Sequence, residues 1–442
     1  MPSVPGTAFY SHLAYSKVSM RSWKYLYLDE THAKYSEMTY SKKTFCILPF
    51  TSMSNTNSGD YRVCCDSFGF GPNIQTDDAE QVWNSDYYKQ LRLDLINGIQ
   101  NKNCESCWKV EANNGYSMRK NENGHYSEDA IQEIIGNVTA GHINTLPTLF
   151  DFKLGNLCNL KCIMCCQLSS SLHESEVRTW QSKNIKLPAL LDYIEITYKN
   201  ENQQYRIDKN NCDGILENLR SILPNLTTLR LVGGEPLINP FTFEIVDKLI
   251  HLGYAKELEL EIITNLSVLN DSFIKQLEQF KSVQLTCSYD HVDPVKFHFI
   301  RYPASYTEFK HNFDKILKSN INVSISTTFS IFNIFDIDQI LDEFEKLALP
   351  ISFNYVIDPD YFSIKYLNTA QKIEVVKLVD TVLKKDYKIF ANNNNLVNYL
   401  RDIDKLLYAE QHDYEHVVAE RTRVLALYDT TRKTNYNEIY PG

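Results

Sequence analysis

Residues 149–165 read Leu-Phe-Asp-Phe-Lys-Leu-Gly-Asn-Leu-Cys158-Asn-Leu-Lys-Cys162-Ile-Met-Cys165. The first part has the apolar alternation of a β-strand, and three cysteines follow it in a C-x3-C-x2-C spacing. Three thiolates so close together can bind one metal cluster. An iron–sulfur cube usually takes four cysteines, so three leave one position open, which is typical of a catalytic metal site. A zinc site completed by a fourth ligand, such as the adjacent Cys166, is the structural alternative.

The middle of the chain alternates strand-like and helical segments. Helical patterns such as Thr242–Leu252, Asp271–Phe280 and Asp336–Leu347 separate six strand candidates. Such alternation predicts a parallel sheet with right-handed crossovers. Six βα units predict an α/β fold, a partial (β/α)6 TIM-type barrel with its active site at the carboxyl ends of the strands. The strand candidates are Leu149–Gly155, Leu226–Val232, Glu257–Thr264, Val283–Asp290, Asn322–Ser330 and Ile351–Ile357.

Apolar and polar residues alternate within these strands with a period of two. If the apolar residues face the helices, the interior of the barrel is polar, whereas closed barrels usually fill their interior with branched apolar side chains. A polar lining predicts an open cavity for polar ligands, and a register error in one or two strands is the alternative. The residues assigned to the interior are Asp151, Lys153, Arg230, Glu259, Glu261, Gln284, Thr286, Ser288, Ser324, Ser326, Thr328, Ser352 and Asn354.

A second motif, Gly233-Gly-Glu-Pro236, follows the second strand candidate. Its glycines allow a close backbone approach to a ligand, and Glu235 supplies a carboxylate suited to an ammonium group. Together with the three-cysteine loop, the motif resembles the radical S-adenosylmethionine (SAM) enzymes, in which such a segment holds the amino group of SAM. The resemblance implies a [4Fe–4S] cluster on the three cysteines. It also implies reductive cleavage of SAM to a 5′-deoxyadenosyl radical, which abstracts a substrate hydrogen.

The resemblance extends to further contacts with SAM. Asn265 and Ser288 end the third and fourth strands, where the family places polar groups near the cofactor. Arg301 resembles an arginine that pairs with the methionine carboxylate, with a surface arginine as the alternative. Met164 stands where the family usually has an aromatic residue against the adenine, and methionine can keep that apolar contact. The SAM-binding residues implied are Gly233, Gly234, Glu235, Pro236, Asn265, Ser288, Arg301 and Met164.

Five further cysteines precede the barrel. The run that ends at Cys64 resembles the approach to a cysteine in SPASM and twitch modules, which hold auxiliary [4Fe–4S] clusters in radical SAM enzymes. The resemblance implies a second cluster on Cys46, Cys64, Cys104 and Cys107, with Cys65 left over. A zinc site with four cysteine ligands is the alternative. SPASM modules usually follow the barrel, so this order puts in doubt any carry-over of substrate from better-known members.

The chain divides into three regions by composition. Residues 1–140 form the predicted cluster module, residues 145–365 the barrel, and residues 366–442 a helical extension without cysteine. Of the remaining cysteines, Cys287 is expected to be a buried small apolar residue on the helix-facing side of its strand. Cys212 is read as incidental.

Charge and hydropathy limit the partners. The net charge is −10, from 45 basic and 55 acidic residues, which makes nucleic acid an unlikely partner because its binding needs a basic face. No apolar run approaches the ~18 residues of a membrane span, so no membrane partner is expected and the protein is predicted to be cytoplasmic. In a reducing compartment, eleven cysteines favour metal or redox chemistry over disulfides.

The leading hypothesis is a radical SAM enzyme that acts on a polar substrate. The SPASM-like module favours a peptide or protein substrate, with modification, crosslinking, epimerisation or oxidation as the reaction. A small sugar or nucleotide substrate is the alternative, and a non-catalytic iron–sulfur or zinc protein, acting as a redox sensor or scaffold, is more remote. The family resemblance also implies an electron donor such as flavodoxin or ferredoxin.

Overall fold

The computed structural model describes residues 40–67, 69–112, 117–187, 207, 211–391 and 394–440. The strands in this part of the chain are β1 (Ser52–Asn55), β2 (Tyr61–Arg62), β3 (Val138–Thr139), β4 (His142–Ile143), β5 (Leu149–Lys153), β6 (Thr228–Val232), β7 (Glu259–Thr264), β8 (Ser282–Ser288), β9 (Asn322–Phe329) and β10 (Ile351–Tyr355). Eight of them make one sheet in the order β10-β9-β8-β7-β6-β5-β1-β2, and β3 pairs with β4 separately.

Strands β5 to β10 are parallel neighbours in chain order, which confirms the predicted α/β sheet of six βα units. Their bounds lie within a few residues of the predicted ones. The α-helices of this region are Ser171–Ser182, Cys212–Leu219, Pro240–His251, Asp271–Leu277, Pro294–Ile300, Tyr306–Ile316 and Ile337–Leu347. Short 3-10 turns lie at Lys102–Cys104, Leu223–Asn225, Pro236–Ile238, Ile334–Asp336, Asp360–Phe362 and Ile364–Tyr366.

The helix Pro240–His251 shows how the sequence determines these elements. The side chain of Asn239 caps its first turn by accepting a hydrogen bond from the Phe241 N–H at 3.1 Å. Proline at the first helical position has no N–H to leave unpaired there. Ile245 and Leu249 follow Phe241 at intervals of four residues, and all three are buried in the core. One apolar stripe therefore attaches the helix to the rest of the protein.

The strand registers agree with the predicted polar interior. Asp151 on β5 lies opposite Arg230 on β6, which lies opposite Glu261 on β7. Glu261 in turn lies opposite Gln284 on β8. These side chains therefore form one layer across four strands on the same face, because neighbours in register point to the same side of a sheet.

The amino-terminal region adds two strands to the sheet that the sequence did not predict. Strand β1 pairs with β5 in parallel, with Ser54 opposite Asp151, and β2 pairs with β1 antiparallel. The four residues of β1 read Ser-Met-Ser-Asn, too short and too polar to show a strand pattern. The helices of this region are Leu48–Thr51, Ala79–Trp83, Asp86–Ile96, Glu105–Ala112, Met118–Asn123 and Glu128–Gly136. Residues 1–39 of the predicted module lie outside the described residues.

The carboxyl-terminal part is helical, as predicted. Its helices are Thr369–Leu383, Lys388–Ala391, Asn394–Arg401, Ile403–Leu407, Tyr414–Arg432 and Tyr436–Ile439. The ring of Tyr399 stacks on that of Tyr355 at the end of β10, with centroids 5.0 Å apart. In the described residues, no helix combines the length and the apolar character needed to cross a membrane.

The burial of Cys287 leads to a test of stability. Cys287 lies on β8 with no exposed surface, in the hydrophobic core. We expect Cys287→Ser to lower the free energy of unfolding by about 1–3 kcal/mol, because a buried hydroxyl without a partner loses its hydration. Denaturant titration would measure the loss, with Cys287→Ala as the control that removes sulfur without adding a polar group. A serine variant as stable as the wild type would contradict the assignment of this side chain to the hydrophobic core.

Candidate active site and cluster sites

The loop after β5 brings the three cysteines Cys158, Cys162 and Cys165 to the carboxyl end of the barrel. Two backbone hydrogen bonds hold this loop against the end of the helix Pro294–Ile300 and the residues that follow it. The Lys161 N–H donates to the Tyr302 carbonyl at 2.7 Å, and the Ile163 N–H donates to the Ile300 carbonyl at 2.8 Å. The cluster loop, defined here as residues 154–166, is therefore fixed by a distant part of the barrel as well as by its own strand.

The three thiols line one cavity of about 220 Å³. Burial raises the pKa of Cys158 to about 12, and the neighbouring Cys162 and Glu235 add to the shift. Burial also raises the pKa values of Cys162 and Cys165. Free thiols here would stay protonated at neutral pH, so metal binding would release protons.

The two glycines of Gly233-Gly-Glu-Pro236 pack against the cluster loop. Gly233 and Gly234 have φ angles of +87° and +53°. A Cβ on Gly233 would lie 2.8 Å from the Gly155 carbonyl oxygen, and a Cβ on Gly234 would lie 2.2 Å from the Leu157 carbonyl oxygen. The close approach expected from the sequence is therefore made to the protein's own backbone. No side chain fits between the turn and the cluster loop.

Glu235 joins the same turn to the end of β7. Its carboxylate, with 1% of the residue exposed, accepts hydrogen bonds from the Thr264 hydroxyl at 2.6 Å, the Asn265 N–H at 2.5 Å and the Leu237 N–H at 2.9 Å. Burial raises the pKa of this carboxyl, and the three donors oppose the shift. The group that the sequence suggested for an ammonium thus has three donors from its own chain.

Asn265 and Ser288 both line the cavity at the strand ends where they were predicted. The Asn265 side-chain amide donates to Asn159 Oδ1 at 3.1 Å and lies 3.9 Å from the Cys158 sulfur. Of the other predicted contacts, Gly233, Gly234 and Glu235 line the cavity, whereas Met164 and Pro236 do not. Met164 instead lies half-buried against the core.

Arg301 is buried and lines the cavity, so the alternative of a surface arginine is wrong. Its Nη1 donates to Asp290 Oδ2, and Asp290 Oδ1 accepts from the Thr328 N–H at 2.8 Å. Burial lowers the pKa of Arg301, but Cys162 and Asp290 outweigh it and hold that pKa above its usual range. The side chain therefore keeps a fixed positive charge beside the cysteines, and its Nε has no protein partner.

Four of the amino-terminal cysteines lie close to one another. The pKa of Cys46 is raised by burial and then by Cys104, Cys107 and Cys64. The fifth cysteine, Cys65, contacts a different residue: its sulfur lies 3.3 Å from the Met118 sulfur. The four neighbouring cysteines are the ones that were predicted as ligands, and Cys65 is the one that was left over.

In the part of the chain that the structure describes, no three His, Cys, Asp or Glu side chains are placed to hold a single metal ion. A four-iron cluster sets a wider spacing than one zinc ion does, because its cysteines bind different irons.

Two family models match the chain. The radical SAM superfamily model matches residues 152–347, and the SPASM model, an iron-sulfur cluster-binding domain, matches residues 46–108. Residues 152–347 form a radical SAM domain. The chain carries its SPASM domain on the amino-terminal side of the barrel, as predicted, and both domains imply [4Fe–4S] clusters.

Several solved structures are similar to this radical SAM protein. Native anSMEcpe with bound AdoMet is 15% identical, with 53% of this chain and 59% of that chain covered and a TM-score of 0.35. Streptococcus suis SuiB bound to S-adenosylmethionine is 13% identical, with 62% and 50% covered and a TM-score of 0.34. The chain thus spans between half and three fifths of these proteins. At TM-scores below 0.5, neither likeness bears on function. Curated proteins give no match.

The donor sets of this radical SAM protein fit the clusters that its two domains imply. Cys158, Cys162 and Cys165 give three thiols on one loop around a cavity, which leaves one iron of a cube without a protein ligand. The neighbouring Arg301 has an Nε without a hydrogen-bond partner, so it suits an anionic group bound at the open iron. The amino-terminal group offers four thiols, enough for a closed site.

One cavity connects the two cysteine groups, and sequence reasoning missed this connection. Cys64 and Cys65 line the same cavity as the three cysteines of the cluster loop. Ser52, Ser54 and Glu122 of the amino-terminal module line it too. Nothing in the sequence could indicate these residues, because their place depends on the pairing of β1 with β5.

Charged side chains line this cavity: Asp151, Lys153 and Arg230 from the sheet, and Glu122 from the amino-terminal module. Arg230 Nε donates to Glu261 Oε2 at 2.7 Å, and Arg230 Nη1 lies 4.0 Å from Asp151 Oδ2. Burial lowers the pKa of Lys153 and raises that of Asp151. Burial also raises the pKa of Glu122 to about 7. The cavity wall therefore offers both donors and acceptors to a polar ligand.

The packing of the glycine turn leads to a matched pair of variants. We expect Gly233→Ala to displace the cluster loop and to lower the iron bound after anaerobic reconstitution, because its Cβ would meet backbone at 2.8 Å. Gly253→Ala is the control: its φ of +83° imposes a similar strain, but nothing lies within 4 Å of the new Cβ. Equal iron content in the two variants would contradict the role of this packing.

Proposed function

We propose that this protein reductively cleaves SAM and uses the 5′-deoxyadenosyl radical to abstract hydrogen from a polar substrate, a peptide or protein. The observation that carries the proposal is the single cavity lined by the cluster loop, the glycine turn, Arg301 and the polar interior of the barrel. The match of residues 152–347 to the radical SAM model supports the SAM chemistry.

Residues of the cluster loop and the neighbouring strand ends would bind the cofactors. Cys158, Cys162 and Cys165 would hold the cluster, which supplies one electron for cleavage of the carbon–sulfur bond when bound. Arg301, oriented by Asp290, would pair with the methionine carboxylate. Asn265 and Ser288 would add hydrogen bonds. Glu235 would act chiefly by fixing the turn, because its carboxylate already accepts three hydrogen bonds.

The substrate would lie between the two cluster sites. Asp151, Lys153 and Arg230, which line the cavity, would give it hydrogen bonds. Because Cys64 lines this cavity, the auxiliary site would lie within reach of the substrate. Four cysteine ligands would leave no open iron there, so relaying electrons is the role that we assign to it.

A peptide or protein is the substrate class that the SPASM domain favours, and a sugar or nucleotide would be the competing class. All eleven cysteines are free thiols, which fits the reducing cytoplasm that we propose as the compartment. An electron donor such as flavodoxin or ferredoxin would supply the electron.

Removal of the cluster ligands should abolish SAM cleavage. We expect alanine at Cys158, Cys162 and Cys165 together to eliminate 5′-deoxyadenosine formation with dithionite as the reductant, because the cluster loses all its protein ligands. Cys166→Ala is the matched control, a buried thiol on the same loop, and should keep the activity. Formation of 5′-deoxyadenosine by the triple variant would refute the catalytic assignment.

Iron analysis should distinguish the auxiliary ligands. The reconstituted protein should hold about eight irons, from two four-iron clusters. We expect Cys64→Ala to lower that number by about four, whereas Cys65→Ala should leave it unchanged, because Cys65 faces Met118. Zinc in place of iron at the amino-terminal site would refute the assignment of an auxiliary [4Fe–4S] cluster.

A further inference from the structure

The long helix Tyr414–Arg432 of the carboxyl-terminal extension contacts the helix Ser171–Ser182, which follows the cluster loop. Arg432 Nε donates to Glu176 Oε1 at 3.1 Å, and Arg432 Nη2 donates to Glu176 Oε2 at 2.6 Å. Both side chains are buried, with 2% and 4% of their surface exposed. A two-point pair of this kind fixes both groups in orientation as well as in distance.

Glu176 also holds the cluster loop itself. Its Oε1 accepts a hydrogen bond from Lys161 Nζ at 2.7 Å, and Lys161 lies between Cys158 and Cys162. The Tyr302 ring lies near both cations: Lys161 Nζ is 5.4 Å and Arg432 Cζ is 5.5 Å from its centroid. The four side chains of Arg432, Glu176, Lys161 and Tyr302 are called the clamp.

The clamp connects segments that are far apart in the sequence. Arg432 and Glu176 are separated by 256 residues. Tyr302 directly follows Arg301, which lines the cavity, and its carbonyl accepts the Lys161 N–H at 2.7 Å. The carboxyl-terminal helix is thus connected to the cluster loop through a continuous series of direct side-chain contacts.

Contacts other than Arg432 also attach this helix to the rest of the protein. Arg421, on the same helix, donates to the carbonyl oxygens of Tyr361 at 2.7 Å and Tyr366 at 2.9 Å. Val424 and Leu425 are buried in the core between these two arginines. The pairing of Arg432 with Glu176 is therefore an addition to the packing that holds the helix.

We propose that Arg432 and Glu176 are positioning residues that hold the cluster loop, through Lys161, in the geometry that binds the cluster and SAM. The proposal rests on the proposed function, because it takes the loop to be the site of the catalytic cluster. It gives the carboxyl-terminal extension a direct part in that site. Without Arg432, the buried Glu176 carboxylate loses two of its three donors, and its orientation toward Lys161 is no longer fixed.

The test compares Arg432→Gln and Glu176→Gln with the wild type after anaerobic reconstitution. We expect each variant to fold, but its cluster to bleach in air about tenfold faster, since breaking a buried pair frees the loop. The change that SAM causes in the EPR spectrum of the reduced cluster should weaken as well. Arg432→Lys should recover only part of both signals, because lysine keeps the charge but not the two-point contact.

Arg421→Gln is the matched control on the same helix. It removes two hydrogen bonds that anchor the helix but leaves the clamp intact, so we expect a lower melting temperature with wild-type bleaching and EPR response. The double variant of Arg432 and Glu176 should bleach no faster than either single variant, because each single change already breaks the same pair. Wild-type bleaching in Arg432→Gln, or equal bleaching in Arg421→Gln, would overturn the proposal. Absence of any cluster from the wild type would instead refute the proposed function.

Discussion

The direct packing of the Gly233–Gly234 backbone on the cluster loop is the contact on which the site depends. Because there is no room for a Cβ at either glycine, the turn after β6 and the loop after β5 approach each other at backbone distance. Glu235 extends this contact to the end of β7 through its three hydrogen bonds. Three successive strand ends are thereby held as one rigid edge, and the cavity opens along it.

The polar wall of the cavity follows from strand register. Each strand contributes side chains of alternate residues, so one register places Asp151, Arg230 and Glu261 in a single layer. Burial of such charges is costly unless they are paired, and Arg230 between two carboxylates meets that condition. The layer therefore keeps the interior open and hydrophilic where most barrels of this type are filled with apolar side chains.

How much the sequence could predict depends on the length of the pattern. Strands β7 and β9 are long enough to show alternation over several residues, and the three-cysteine loop lies at the strand end where it was expected. Strand β1 has four residues, two of them serines that face an interior created only by pairing with β5. For Arg301, the local pattern could not decide between a cofactor contact and a surface position, since its burial depends on Asp290 in a different segment of the barrel edge. The location and burial of such residues depend on their tertiary partners rather than on local propensity.

The pairing of β1 with β5 has a consequence for how the protein is built. An uncovered β5 would present a row of unpaired backbone groups at the edge of the sheet, where other chains could add. Strand β1 covers that edge, and β2, with two residues, ends the sheet with almost nothing left to extend. The cluster module thus also covers the edge of the barrel sheet, and a fragment that begins at β5 would expose that edge. This dual role offers a structural reason for a module that precedes the barrel in the chain.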